Sequence, residues 1–102
     1  MKNKYIYIVS LFLLPISAYS QYSISGEIKD KSERSVQNAS VLLYAGDSLV
    51  SATISDDKGK FKLKDVPSSN YYIQYLSLGY KKQEETFNLS SNIYKTLVDD
   101  KK

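Results

Sequence analysis

The sequence predicts an all-β fold: an antiparallel β-sandwich of six or seven short strands that follows a cleaved signal peptide. Three observations support this fold class. Apolar and polar residues alternate with a period of two in several segments, and clusters of turn residues separate those segments. No segment after residue 20 shows the apolar period of an amphipathic helix. Many short strands divided by turns are typical of a sandwich.

The first twenty residues have the layout of a secretory signal peptide. Lys2 and Lys4 form a basic region, residues 5–14 form an apolar run, and Ala18 and Ser20 are the small residues that precede a cleavage point. A retained membrane anchor is the alternative, but the apolar run is shorter than the roughly 20 residues that a membrane helix needs. We therefore expect export to the periplasm or the outer membrane, with no transmembrane span after cleavage.

The mature chain is expected to form one domain over residues 21–98, followed by a polar tail over residues 99–102. Alternation assigns a core-facing side to a first strand at 22–29, a second at 39–44 and a long fifth at 71–78. Four further segments complete the sandwich, at residues 49–55, 60–64, 82–89 and 93–98, and the segment 60–64 alternates charged and apolar residues with a period of two. The residues expected in the core are Tyr22, Ile24, Gly26, Ile28, Ala39, Val41, Leu43, Tyr71, Ile73 and Tyr75.

Composition argues against an enzyme. The chain contains no histidine and no cysteine, which excludes Ser-His-Asp and Cys-His catalysis and the usual zinc sites. The adjacent carboxylates Glu84 and Glu85 point to opposite faces of a strand, which is poor geometry for acid–base work. We predict no catalytic residues, no cofactor and no metal site. Lys2 and Lys4 supply two of the net three positive charges, so the mature chain is not basic enough to indicate nucleic-acid binding.

The segment Asp56–Gly59 predicts a hairpin turn between the third and fourth strands. An aspartate would accept backbone N–H groups there, and Gly59 would take a positive φ. A calcium loop is the alternative, but a lysine interrupts the carboxylates and no bidentate glutamate follows. Lys60, Lys62 and Lys64 alternate with apolar residues, so we expect them on a solvent face, where they discourage edge-to-edge aggregation.

The candidate interaction face lies on the outer side of the fifth strand and its end. Alternation places Tyr72, Leu76, Leu78 and Tyr80 opposite the core-facing tyrosines. If nothing covers them, these side chains form an apolar patch suited to docking. Ordinary packing within the domain is the alternative.

Seven short segments follow one another between short loops: Ser25–Asp30, Asn38–Leu43, Asp47–Val50, Ser55–Phe61, Val66-Pro67, Tyr71–Ile73 and Ser77–Lys81. Their order and spacing resemble the carboxypeptidase regulatory-like domain. That resemblance implies a transthyretin-like β-sandwich. In Bacteroidetes such domains follow the signal peptide of TonB-dependent outer-membrane receptors. Glu33, Ser35 and Ser69 depart from the Gly and Pro that the family usually has in its loops.

The resemblance implies a non-catalytic, exported accessory domain whose partner is an envelope protein or a receptor domain. The chain has no room for the plug and barrel of such a receptor, so we expect a free-standing periplasmic domain or a truncated receptor N-terminus. The alternative function is a free-standing glycan-binding module, with carbohydrate as the ligand.

Overall fold

The computed structural model describes residues 21–102 as seven β-strands without a helix. The expected signal peptide lies outside the described residues. Within the described part of the chain, no helix is long and apolar enough to cross a membrane. The strands are β1 (Gln21–Asp30), β2 (Ser40–Ala45), β3 (Ser48–Ile54), β4 (Lys60–Pro67), β5 (Ser69–Leu76), β6 (Gln83–Leu89) and β7 (Ile93–Asp99).

The strands form two sheets packed as a sandwich. One sheet has the order β4-β1-β7, and the other has the order β3-β2-β5-β6. All neighbours in the four-stranded sheet are antiparallel, whereas β1 and β7 pair in parallel over Ile24–Asp30 and Ile93–Asp99. The predicted all-β sandwich is confirmed, with this one parallel pair as a departure from the antiparallel pattern.

The turn after β3 does not close a hairpin. It carries the chain from one sheet to the other, and β4 pairs with β1 instead of β3. The turn chemistry is as predicted: Asp56 Oδ1 accepts the N–H groups of Lys58 and Lys60, each at 2.9 Å, and Gly59 has a φ of 76°. A Cβ at Gly59 would also collide with the carbonyl oxygen of Ile28, which is a second reason for glycine here.

The core lies between the sheets and is made by the predicted alternating residues. Ile24, Ile28, Val41, Leu43 and Ile73 have no exposed surface. Alternate residues of a strand point to opposite faces, so each sheet also presents one outer face. Tyr22, predicted in the core, is half-buried and packs against it.

The strand ends differ from expectation at two places. β5 stops at Leu76 instead of residue 78, because Tyr80 N donates to Ser77 O at 3.1 Å and Gly79 has a φ of 85°, which makes a turn. β7 extends to Asp99, which is only 3% exposed and accepts a 2.7 Å hydrogen bond from Gln83 Nε2. The residues predicted as a solvated tail are held to the turn after β5: Lys81 N donates to Asp100 O at 2.7 Å, and Lys102 N donates to Gly79 O at 3.1 Å.

Candidate functional site

The outer face of the four-stranded sheet is the main uncharged surface of the described domain. Strand register places Leu49, Ala52 and Ile54 of β3 beside the outward residues of β2. Glu84 is the one charged side chain among the outward strand positions of this sheet, and Lys82, directly before β6, has its Nζ 3.7 Å from the Glu84 carboxylate. We call this surface the outer face; it comprises Ser40, Leu42, Tyr44, Leu49, Ala52, Ile54, Asn70, Tyr72, Gln74, Leu76, Glu84, Thr86 and Asn88.

Two tyrosines stand at the centre of the outer face. Tyr44 and Tyr72 are cross-strand partners, and their rings meet edge to face with centroids 5.9 Å apart. The Tyr72 hydroxyl donates to the Glu84 carboxylate and accepts from Gln74 Nε2 at 3.0 Å. These contacts hold the Tyr72 ring in one orientation, so the face is preorganised for contact with a partner.

Apolar side chains at the border of the outer face remain in water. Ile54 is 61% exposed, Leu49 is 54% exposed and Leu76 is 36% exposed. Covering such side chains gains roughly 25 cal/mol per Å² of apolar surface removed from water. Several exposed apolar side chains on one face of a sheet indicate a candidate interaction surface.

The structure divides the predicted interaction face between two neighbouring places. Tyr72 and Leu76 lie on the outer face, and Leu78 is 99% exposed in the turn after β5. Tyr80 is half-buried: it packs against the core, and its hydroxyl donates to Asp30 Oδ2 at 3.4 Å. Leu76, Leu78 and Tyr80 together line a groove of about 310 Å³ at the end of β5. Because β5 ends at Leu76, strand alternation no longer applies to Leu78 and Tyr80. Partial burial, together with the nearby Asp30 charge, raises the pKa of Tyr80.

Sequence reasoning missed the contributions of β2 and β3 to this face. Leu42 and Tyr44 are apolar residues at the positions that alternate with the buried Val41 and Leu43. An uninterrupted apolar run in a strand indicates that both of its faces are apolar, and this signal was present in the sequence.

A groove of about 540 Å³ adjoins the outer face beside Tyr72. The aromatic side chains of Tyr71, Tyr72 and Phe87 line it together with Asn70, Thr86 and Asn88. Asn70 and Asn88 are cross-strand partners, and Asn88 Nδ2 donates to Asn70 Oδ1 at 2.8 Å. Asn70 Nδ2 and Asn88 Oδ1 make no hydrogen bond within residues 21–102, which leaves one donor and one acceptor side by side.

The outer face of the three-stranded sheet has a different character. Lys60, Lys62 and Lys64 project from β4 as predicted, and β4 is an edge strand. Apolar exposure there is confined to β7, where Tyr94 is 62% and Val98 is 55% exposed. The two outer faces therefore differ in charge, and Val98 provides an exposed apolar residue for comparison with Leu76.

Backbone hydrogen bonds lower the pKa of two aspartates in turns. Backbone N–H groups of Arg34 and Ser32 lower the pKa of Asp30, and those of Lys60 and Lys58 lower the pKa of Asp56. Residues 21–102 contain no group of three histidine, cysteine or acidic side chains able to hold a metal ion.

A family model for the carboxypeptidase regulatory-like domain matches residues 23–97. The chain belongs to the carboxypeptidase regulatory-like domain family. The match includes six strands in full or nearly so and most of β7. A search of curated proteins found no match.

Solved structures share the fold of this domain at low sequence identity. The streptococcal ancillary pilin matches with a TM-score of 0.66 and 13% identity over 82% of this chain and 30% of the pilin chain. A putative carbohydrate-binding protein of Bacteroides uniformis matches with a TM-score of 0.63 and 13% identity over 78% of this chain and 41% of that chain. The 5-hydroxyisourate hydrolase of Klebsiella pneumoniae matches with a TM-score of 0.58 and 10% identity over 76% of this chain and 84% of the hydrolase chain.

These similarities show the fold alone. The chain spans less than half the length of the pilin and of the Bacteroides uniformis protein. The neighbours include a hydrolase, a pilin and a protein with a proposed carbohydrate ligand, so one sandwich architecture serves several functions.

Proposed function

We propose that this carboxypeptidase regulatory-like domain is an exported, non-catalytic interaction module that binds another protein through its outer face. The observation that carries the proposal is the exposed apolar border around Tyr44 and Tyr72, on a sheet with one outward charge. A protein partner would cover Leu42, Leu76 and the edge-to-face tyrosine pair. Aromatic residues in such a position are typical of interface centres.

The proposed setting is the bacterial envelope beside a TonB-dependent outer-membrane receptor. The layout of the first twenty residues supports export, and the family resemblance supports the receptor. The partner would be a receptor domain or another envelope protein with an apolar surface of its own. The lysine-bearing sheet would remain in solvent.

Charge substitutions on the two sheets test this proposal. Leu76→Glu places a carboxylate on the outer face, and Val98→Glu places one at an exposed apolar position of the other sheet. We expect Leu76→Glu to reduce co-purification of envelope proteins at least tenfold and Val98→Glu to leave it unchanged. Equal co-purification by both variants and the unmodified domain would refute the outer face as the binding surface.

The receptor setting has its own tests. Fractionation of the source cells should recover the domain in the periplasmic or outer-membrane fraction. Sequencing the DNA directly after the codon for Lys102 would show whether a plug-and-barrel reading frame follows. Recovery in the cytoplasm would contradict export, whatever the outer face binds.

Carbohydrate binding is the second candidate function, and the groove beside Tyr72 favours it. A sugar ring can stack on an aromatic face, while its hydroxyls bond to the free donor of Asn70 and the free acceptor of Asn88. Isothermal titration with envelope and dietary polysaccharides tests this candidate. Heat that disappears in Asn88→Ala would support it, and no heat with any glycan would leave the protein-binding function alone.

A further inference from the structure

The turn after β5 carries an apolar side chain at its tip. Leu78 is 99% exposed, the largest exposed fraction among the large apolar side chains of residues 21–102. The turn has a defined shape, since Tyr80 N donates to Ser77 O at 3.1 Å and Gly79 has a φ of 85°. Leu78 is therefore held away from the core, and its apolar surface stays in water unless a ligand covers it.

Four lysines lie in or beside this turn, and backbone pairing holds two of them there. Lys102 N donates to Gly79 O at 3.1 Å. Tyr80 forms an antiparallel β-bridge with Lys101. We call Leu78 and these lysines the basic turn; its lysines are Lys81, Lys82, Lys101 and Lys102.

The charge of the basic turn is only partly neutralised. Asp100 lies 3.7 Å from Lys81 Nζ and also 3.3 Å from Lys31 Nζ of the loop after β1. Glu84 lies 3.7 Å from Lys82 Nζ. The other two lysines of the basic turn make no ion pair within residues 21–102, so two positive charges remain in excess over these two carboxylates.

Two further carboxylates lie behind the basic turn but are buried. Asp30 is 5% exposed, and Arg34 Nε lies 3.6 Å from its Oδ2. Asp99 is 3% exposed and accepts a hydrogen bond from Gln83 Nε2. A ligand at the surface of the turn therefore meets the lysines and not these carboxylates.

The groove at the end of β5 joins the apolar and the basic side chains. Leu76, Leu78 and Tyr80 line it together with Lys82 and Lys102. Apolar side chains next to ammonium groups suit an amphiphile with an anionic head, because its apolar part leaves water while its phosphate approaches the lysines. A small soluble anion would gain nothing from the exposed leucine.

We propose that the basic turn docks this domain on the surface of a membrane that contains anionic phospholipids. Leu78 enters the boundary between headgroups and acyl chains, and the lysines contact the headgroup phosphates. A bilayer accommodates a protruding side chain without a matching pocket, whereas a protein partner needs one. Leu78 and these lysines lie outside the outer face, so this inference goes beyond the proposed function.

The composition of the basic turn also sets the strength of this docking. A single myristoyl chain binds membranes with an association constant of about 10⁴ M⁻¹, which is marginal and reversible. A leucine buries less apolar surface than such a chain, and the lysines add electrostatic attraction that salt screens. We therefore expect reversible binding at about 10³–10⁴ M⁻¹, weakening as the ionic strength rises.

Tryptophan fluorescence tests the docking, because the chain contains no tryptophan and Leu78→Trp introduces a single reporter. With vesicles of equimolar phosphatidylcholine and phosphatidylglycerol, we expect its emission to shift to shorter wavelength in the exported mature protein. Vesicles of phosphatidylcholine alone should cause little shift. Ser91→Trp places the same reporter at an exposed position between β6 and β7, at the opposite end of the sandwich, and should not respond. No shift for Leu78→Trp with the anionic vesicles, or equal shifts for both reporters, would overturn the proposal.

Vesicle co-sedimentation separates docking at the basic turn from a general attraction of lysines to anionic lipid. Leu78→Ser should lower the association constant about tenfold, and so should Lys101→Gln combined with Lys102→Gln. Lys60→Gln combined with Lys62→Gln removes the same charge from β4 and should leave it unchanged. Equal loss in the two double variants, or full binding by Leu78→Ser, would contradict the proposed site. The vesicles contain no protein, so these outcomes are independent of the protein-binding function of the outer face.

Discussion

Replacement of Ser55 by alanine should destabilise the domain far more than the loss of one small surface side chain. Ser55 is 2% exposed and lies just after β3. Its hydroxyl donates to Val36 O at 2.7 Å and accepts from Ala39 N at 2.9 Å. Both partners are buried backbone groups, since Val36 is 3% and Ala39 is 1% exposed.

The magnitude follows from those two contacts. Ser55→Ala leaves a buried carbonyl and a buried amide without their partner, and each such group costs about 1–3 kcal/mol. We expect the free energy of unfolding to fall by about 2–4 kcal/mol, which lowers the Tm of a domain this small by about 10–20 °C. Urea denaturation and a thermal melt followed by circular dichroism measure both quantities.

Ser51→Ala serves as the matched control for this prediction. Ser51 is half-buried on β3, and its hydroxyl makes no hydrogen bond within residues 21–102. The same chemical change there should cost less than about 0.5 kcal/mol. If Ser55→Ala were as mild as Ser51→Ala, the reasoning that this hydroxyl holds the loop before β2 to the core would be refuted.

Three further substitutions test the packing and titration of the core. Gly26→Ala should cost about 1–3 kcal/mol in urea denaturation, because the new Cβ would collide with the carbonyl oxygen of Lys95; an unchanged midpoint would contradict this. Tyr75→Phe should be neutral or stabilising by up to about 2 kcal/mol, since the buried Tyr75 hydroxyl has no partner within residues 21–102; a clear loss of stability would mean that the hydroxyl is bonded. Burial raises the pKa of Asp99, so its favourable contribution is present at low pH and is lost as pH rises through the folded-state pKa. The free energy of unfolding of Asp99→Asn, relative to that of the unmodified protein, should therefore increase as the pH is raised from about 3 to about 7. A relative stability of the variant that is highest at low pH would contradict this prediction.

Strand alternation was sufficient to predict the fold class and most of the core. Buried and exposed residues alternate along β1 and β5 as the sequence indicates, and Asp56 accepts the backbone N–H groups expected of a turn. Such features depend on neighbours within a few residues. A local pattern therefore contains enough information to predict them.

The local sequence pattern could not predict which strands pair with each other. The parallel pairing of β1 with β7 and the separation of β3 from β4 into different sheets depend on contacts between segments far apart in the chain. Asp99 was assigned to a solvated tail because it is charged, yet β7 continues through it and Gln83 donates to its carboxylate. A charge in sequence does not reveal the distant donor that accompanies its burial.

The candidate site was predicted in part for the same reason. Tyr72 and Leu76 were found from alternation along one strand, whereas Tyr44 joins them only through the pairing of β2 with β5. A surface built from several strands needs their register. A turn ends β5 before Leu78 and Tyr80, so strand alternation does not describe their positions, although both line a groove with Leu76.

Site-specific photo-crosslinking in the source cells tests the central claim most directly. A photoreactive amino acid at position 76 would lie on the outer face, and one at position 98 would lie at a comparably apolar, exposed site on the opposite sheet. The outer-face account predicts a discrete crosslinked product with an envelope protein from position 76 and none from position 98. Equal crosslinking from both positions, or crosslinking from position 98 alone, would contradict it.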